Sequence, residues 1–407
     1  MRKPILTIFY QFNPWESSIG GIQTVIRSFI KYTPPQFEVR LVGTGKPNSP
    51  IGVWQEAEYA GRALQFMPLI AVGDDNVRQL IPTTLRYTAA LFGRNLGSDF
   101  MHFHRLEPSL ATFNWSGDKT LFIHTDIKQQ LNPANGKNAI LWKYFPAGYF
   151  ALESLLIKQF DYIYSCNTES AQFYQNQYPA LAEQVSFLRN TVDNEIFYPF
   201  EAEQESTERA KLALEMGLSP QTRFILFAGR LHPQKDPLLL IRSFAALQEP
   251  DLHLLIAGDG ELADEVRAEI QRCGVTERVT MLGPVQQDKL AHLHRISSVF
   301  VLSSAYEGLP VVVLEALACG TPVVTTHCGE TPKLLTSDSG VVSTARTPEA
   351  IAEALRQVLL HSEAYPTIAC VRTAQPFGAR HVVTDVYQQM LHRWEQQTFS
   401  SANPRYI

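Results

Sequence analysis

Two α/β domains, each a parallel sheet covered by helices, are what the sequence predicts. Three observations carry that expectation. The chain has 407 residues, which at roughly 150 residues per domain allows two or three domains with sizeable cores. Two long stretches alternate short apolar runs with helical patterns, the order of strands joined by crossover helices. Between them lies Arg189–Phe200 and then Glu201–Glu208, a polar run with four glutamates, which suits a linker. The expected divisions are residues 1–195, residues 196–376, and a C-terminal helical segment, 377–407, that can dock on either half or cross back to the first.

Composition excludes several classes. Apolar residues make up 45% and charged residues 18%, so the chain is neither disordered nor low in complexity. A formal net charge of −5 supplies no field for a phosphate backbone, so no nucleic-acid partner is expected. The five cysteines are odd in number and never form a C-x-x-C pair, which indicates neither a disulfide framework nor a zinc site and fits a reducing cytoplasm. No window approaches 18 consecutive apolar residues, so nothing should span a bilayer, while peripheral contact with a membrane surface stays open.

In chain order, strands are expected at Ile5–Tyr10, where Pro4 and Thr7 interrupt any signal-like apolar run, and at Glu38–Val42, Asp99–Phe103, Thr120–His124 and Tyr162–Ser165. Helices are expected near Ile22–Tyr32 and Ala147–Lys158. In the second half Thr222–Ala228, His253–Ala257, Val279–Leu282, Val299–Ser303 and Pro322–Thr325 are short apolar runs, each followed by turn residues and then a helical pattern. The helix from about 310 to 319 has clear limits. Pro310 suits its first turn, Gly320 its left-handed C′ position, and Pro322 prevents continuation.

That helix is apolar nearly all round, so Glu315 within it should be buried and should have a partner. Three readings stay open: an ion pair with Arg or Lys, a carboxylate facing solvent on a narrow polar edge, or a ligand with vicinal hydroxyls. Glu307 lies eight residues earlier, in the loop that feeds the same helix, where the backbone at Gly308, Leu309, Pro310 and Val311 offers amide donors to an anion. Arg230 and Lys235, five apart after the strand Thr222–Ala228, suit a diphosphate or are ordinary surface cations. Ile256–Leu262 contains a Gly-rich turn of a common kind. Gly20-Gly21 opens a helix after the first strand and would let amides approach a phosphate, or serves only as a βα turn. His124 closes a strand on the same side, where a lone histidine is as readily structural. Ligands of open parallel sheets sit beyond the strands' carboxyl ends, and each of these clusters falls there.

Taken together, these residues resemble the retaining, nucleotide-sugar-dependent glycosyltransferases of family four (glycosyl transferases group one), with the GT-B architecture of two facing Rossmann-like domains. The family's Glu, seven residues, Glu motif stands as Glu307 to Glu315. Its G-R-L-x-x-x-K element stands as Gly229, Arg230, Leu231 and Lys235, and its N-G-V-D-x-x-x-F-x-P segment as Asn190, Thr191, Val192, Asp193, Phe197 and Pro199. The resemblance implies a nucleotide-sugar donor whose diphosphate is held by Arg230 and Lys235 and capped by Gly20-Gly21. It assigns Glu315 to the ribose hydroxyls, and Glu307 and His124 to the transferred sugar near the reacting centre. It also implies a saccharide or lipid-linked saccharide acceptor and a place in glycan or polysaccharide biosynthesis.

No D-x-D pair occurs in the chain, so no metal cofactor is expected. The rival reading is a non-catalytic protein that binds sugar nucleotides or glycans on the same fold. Gly329-Glu330-Thr331-Pro332-Lys333 departs from the family's G-G-x-x-E, and Thr191 stands where Gly is usual. Asp126 is the nearest carboxylate to His124, and the aromatic run from Ile140 to Phe150, with Lys143 inside it and Lys137 before it, is a candidate acceptor or lipid-interface patch.

Overall fold

The strand Ile5–Phe9 (β1) is buried at four of its five positions and pairs in parallel on both sides, with Ile5 opposite Glu38 and Leu6 opposite Phe100. Such a strand has no solvent face, which is why it reads as a continuous apolar run. The computed structural model describes residues 2–15, 20–73, 81–124 and 146–402. Asp126, Lys137, Lys143, residues 140–145 and the tail 403–407 lie outside them.

After β1 come the helix Gly21–Lys31 (α1), the strands Glu38–Gly45 (β2), Gln55–Tyr59 (β3) and Arg62–Ala71 (β4), the helix Thr83–Leu91 (α2), and the strands Phe100–Phe103 (β5) and Asp118–Ile123 (β6). The helix Pro146–Leu156 (α3), the strand Tyr162–Ser165 (β7), the helix Thr168–Gln177 (α4) and the strand Val185–Phe187 (β8) complete this half. The eight strands lie in the order β3-β4-β2-β1-β5-β6-β7-β8 and are parallel except for β3 against β4. That antiparallel hairpin corrects the sequence reading, which places no strand there. Its two turn residues, Ala60 (φ 53°) and Gly61 (φ 73°), are both left-handed, the turn geometry that matches strand twist.

The second half runs through the helix Ala202–Glu215 (α5), the strand Arg223–Ala228 (β9), the helix Pro237–Ala245 (α6), the strand Leu252–Ala257 (β10), the helix Ala263–Arg272 (α7) and the strand Val279–Gly283 (β11). It continues with the helix Gln287–Ile296 (α8), the strand Ser297–Leu302 (β12), the helix Val311–Ala318 (α9), the strand Val323–Thr325 (β13), a single turn at Thr331–Leu334 (α10), and the strand Gly340–Val342 (β14). Helices Pro348–Leu360 (α11) and Thr367–Ala374 (α12) follow. Its sheet is all parallel, in the order β11-β10-β9-β12-β13-β14. The order reverses between β9 and β12, which is where an open sheet of this kind offers a ligand crevice.

The last helix, Ala379–Ala402 (α13), leaves the second half and packs on the first. Val383, Val386, Tyr387 and Met390 join Leu6, Ile8, Phe29 and Phe37 in one buried cluster. The Tyr387 hydroxyl donates to the Phe29 carbonyl at 2.9 Å, and Arg393 pairs with Asp118 at 2.8 Å. The two passages of the chain between the halves touch each other. Val192 N–H donates to the Phe377 carbonyl (2.9 Å), and Ala379 N–H donates to the Val192 carbonyl (2.8 Å). Asp193, in the first passage, accepts from Lys31 Nζ (2.6 Å) and the Tyr32 hydroxyl (2.7 Å) of and beside α1. Among the described residues no helix is long and apolar enough to cross a membrane.

Candidate active site

Two loops at the carboxyl ends of neighbouring strands β9 and β12 are stitched together. Ser303 Oγ donates to the Lys235 carbonyl at 2.8 Å, and Ala305 N–H donates to the Gln234 carbonyl at 2.8 Å. Lys235 Nζ then meets Glu307 Oε1 at 2.5 Å, and Ser304 Oγ donates to the same oxygen at 2.6 Å. Glu307 is 7% exposed, so its carboxylate is held by a cation and a hydroxyl rather than by water. Arg230, on the same loop as Lys235, is exposed.

The Gly-rich turn after β10 is what places that loop. Gly258 has φ 138°, and a Cβ there would lie 2.0 Å from the Gly229 carbonyl oxygen; one at Gly260 would lie 2.5 Å from that of Leu231. No side chain fits either position, so both glycines are required by the close approach of the backbone.

Glu315 is 4% exposed, in the middle of α9 among Val311, Val313, Leu314, Ala316 and Leu317. Of the open readings, the ion pair is not there: among the described residues no side chain or backbone group bonds its carboxyl. Burial alone pushes the group up to about 8. Val311, one turn earlier, opens the helix, and its first-turn amides have no partner within the helix. Pro310 precedes the helix as its cap instead of lying in its first turn, and Gly320 (φ 85°) follows it.

The first half approaches this helix from the other side. A Cβ on Gly21 would lie 3.7 Å from Val311 Cγ2, so the Gly20-Gly21 turn sits against the start of α9. The Gly20 amide already donates to Gln23 Oε1 at 2.6 Å. His124 follows β6, and a Cβ on Gly308 would meet its carbonyl oxygen at 2.8 Å and Cys166 Sγ at 3.2 Å. His124 Nε2 is 2.9 Å from Nδ1 of His104, and burial pushes the His124 imidazole down to about 3. Gly21, His124, Gly308 and Val311 thus converge, Lys235 and Glu307 pair beside them, Leu309 is buried under them, and Glu315 lies one turn inside. A small, partly open pocket, lined by His124, Cys166, Asn190 and Thr191, lies beside them.

The contacts of three residues here went unread in the sequence. Asn190 Nδ2 donates to the Leu309 carbonyl at 2.6 Å and so ties the interdomain passage to the start of α9. Glu330 Oε1 accepts from the Thr168 amide (2.7 Å) and hydroxyl (2.6 Å) at the start of α4, and Lys333 Nζ pairs with Glu169 at 2.9 Å. The departure from G-G-x-x-E is therefore an interdomain clasp. The third is His104, a buried ring that resembles any core histidine in sequence. Among the described residues no three of His, Cys, Asp and Glu form a group able to hold a metal ion.

Two facing Rossmann-like domains with these clusters at their cleft define a GT-B protein. Solved structures agree on the fold. Sucrose-phosphate synthase from Thermosynechococcus elongatus superposes with a TM-score of 0.78 at 18% identity, over 98% of this chain and 100% of that one. Anabaena HepE in complex with UDP-glucose superposes at 0.68 and 18% identity, over 97% and 100%. Residues 210–369 match the model of the glycosyl transferases group 1. A D-inositol 3-phosphate glycosyltransferase of Mycolicibacterium gilvum is 33% identical over 43% of this chain and 41% of its own length. One of Streptomyces coelicolor is 28% identical over 72% and 68%. The chain thus spans less than half of the first relative and about two thirds of the second.

Proposed function

We propose that the protein is a retaining glycosyltransferase, moving a sugar from a nucleoside-diphosphate sugar to a saccharide or lipid-linked saccharide in glycan or polysaccharide biosynthesis. The observation that carries this reading is Glu315, a buried carboxyl beneath a helix start with no protein partner among the described residues. A carboxylate there suits vicinal ribose hydroxyls, which donate to its two oxygens. Arg230, Lys235 and the first-turn amides of α9 would then take the diphosphate, without need of a metal.

Lys235 and Glu307 neutralise each other as they stand. With the donor bound, Lys235 turns to a phosphate oxygen and Glu307 accepts from hydroxyls of the transferred sugar, each exchanging one charged contact for another. The bond between the anomeric carbon and the phosphate oxygen breaks as the acceptor oxygen bonds that carbon, and the acceptor's proton passes to the departing phosphate. Positive charge fixed beforehand at the diphosphate lowers the barrier because it stabilises the charge that develops there. The GT-B relatives and the HepE complex with UDP-glucose support trying a uridine nucleotide first.

The test is thermal unfolding with UDP, GDP, ADP and CMP in turn, all in EDTA. A nucleotide at 100 times its dissociation constant adds about 2.7 kcal/mol. One base should raise the transition by several degrees, and the matching nucleotide sugar should be consumed only with an acceptor present. No shift with any nucleotide would overturn the donor assignment, and binding without turnover would leave a non-catalytic protein.

A further inference from the structure

We propose that His104 is a positioning residue for His124, holding its Nε2 so that the imidazole offers Nδ1, with the proton on it, to the cleft. Four histidines are buried among the described residues, and one of them, His253, meets Thr280 Oγ1 at 2.8 Å. His102 and His294 have both ring nitrogens unpartnered among the described residues, and they pack on aromatic rings away from the cleft. His104 differs. Its ring is 2% exposed and stacks on Phe122 (centroids 4.7 Å, planes 11° apart), and its Nδ1 lies 2.9 Å from His124 Nε2. The two imidazole planes are also nearly parallel, 16° apart.

One proton must sit between those two nitrogens, and two arrangements supply it. In the first, His104 Nδ1–H donates to the lone pair of His124 Nε2, which leaves His124 protonated on Nδ1. In the second, His124 Nε2–H donates to His104 Nδ1, which puts the other His104 proton on Nε2. That Nε2 is fully buried and has no partner among the described residues. A buried N–H without an acceptor is rarer and more costly than a buried acceptor left with a free lone pair. The first arrangement avoids the orphan donor.

Both rings stay neutral, since burial lowers each one and the cation of Arg105, next after His104, further disfavours a charged His124. His124 Nδ1 has no partner among the described residues, and the residue is half-buried. The cleft is therefore offered an uncharged N–H donor next to Gly308, suited to a sugar hydroxyl or phosphate oxygen that must be held without adding a cation. Only the kinetic half of this inference rests on the glycosyl-transfer reading.

The experiment is a long-range proton–nitrogen spectrum of the full chain labelled with 15N-histidine, with transfer kinetics on variants. The His124 resonances should show a protonated Nδ1 and an unprotonated Nε2, unchanged between pH 6 and 8. His104→Leu should let His124 revert to Nε2–H and should lower kcat by about tenfold or more, the loss of roughly one oriented hydrogen bond. His104→Asn places an amide N–H near the old Nδ1 position and should restore kcat to within about threefold of wild type.

In a His104→Leu background, His124→Ala should cost less than it does alone, since residues acting as a unit are not additive. A protonated Nε2 on His124 in the wild-type spectrum would overturn the proposal, whether or not any variant folds. So would a His104→Leu protein that keeps both tautomer and rate. Wild-type protein that transfers no sugar would remove the enzymatic reading instead, and the spectrum would still decide the tautomer.

Discussion

Replacing Glu315 by glutamine should stabilise the protein at neutral pH and weaken nucleotide binding at the same time. In the folded chain burial raises this carboxyl from its ordinary 4.5 to about 8. The unfolded chain releases its proton near 4.5, so between these values the folded state binds more protons than the unfolded one. Stability from this group is therefore full below pH 4.5 and is lost as pH rises towards 8. At ~1.36 kcal/mol per unit, the loss is ~3 kcal/mol by pH 7 and ~4 kcal/mol by pH 8, levelling off near ~5 kcal/mol above it.

A glutamine keeps the shape and cannot ionise. The variant should match wild type at pH 4.5 and unfold roughly 6–12 °C higher at pH 7, taking 2–4 °C per kcal/mol for a domain of this size. Calorimetry across pH 4.5–8.5 on both proteins reads the difference. Glutamine also offers the ribose hydroxyls one acceptor oxygen in place of two, a loss of about 0.5–1.5 kcal/mol, so nucleotide affinity should fall by ~2–10-fold. A damaged fold would lower both stability and affinity, whereas the buried-acid account requires them to move in opposite directions. Parallel stability curves for the two proteins would refute it, since the carboxyl would then have a partner that keeps it ordinary.

Removing Lys235 leaves Glu307 buried without its cation, so Lys235→Ala should lose about 3 kcal/mol in urea unfolding, and adding Glu307→Gln should recover most of it. Gly258→Ala puts a methyl group 2.0 Å from the Gly229 carbonyl oxygen at a left-handed φ. It should destabilise by about 2 kcal/mol or more and weaken nucleotide binding through displacement of the Arg230 loop, both read by thermal unfolding with and without nucleotide. Glu330→Ala breaks the clasp to Thr168, a loss of about 1.5–3 kcal/mol between the halves, and should increase the radius of gyration of the free protein in X-ray scattering.

Legibility in the sequence followed physical character. The central strands and α9 were readable because a buried parallel strand is an unbroken apolar run and because Gly320 and Pro322 mark a helix end by backbone geometry. The β3–β4 hairpin was not, since Gln55–Tyr59 carries two glutamates and a glutamine on an edge, and its turn places alanine, not the usual asparagine or aspartate, in a left-handed conformation. Glu307, Glu315, Arg230 and Lys235 could be singled out by residue type and spacing. Their pairing could not, because the Lys235–Glu307 contact joins two strands far apart in sequence.

Gly258 and Gly260 looked like an ordinary turn until the carbonyls of Gly229 and Leu231 were seen against them. His104 and Glu330 act through partners 20 and 162 residues away, at separations where no periodicity carries information.

The return of α13 to the first sheet also orders the events of synthesis. Translation delivers residues 2–187, with all eight strands of the first sheet, before any of the second, yet Tyr387 and Met390 belong to the first half's buried cluster. At 5–20 residues per second the ribosome needs ~10–40 s to cover the intervening chain of about 200 residues. During that interval the face of the first sheet that α13 will cover stays open, while the second half, whose buried cluster runs from Val192 to Ala374, can close once residue 374 has emerged. The domain made first is completed last, and the chain must hold an unfinished apolar surface in the meantime.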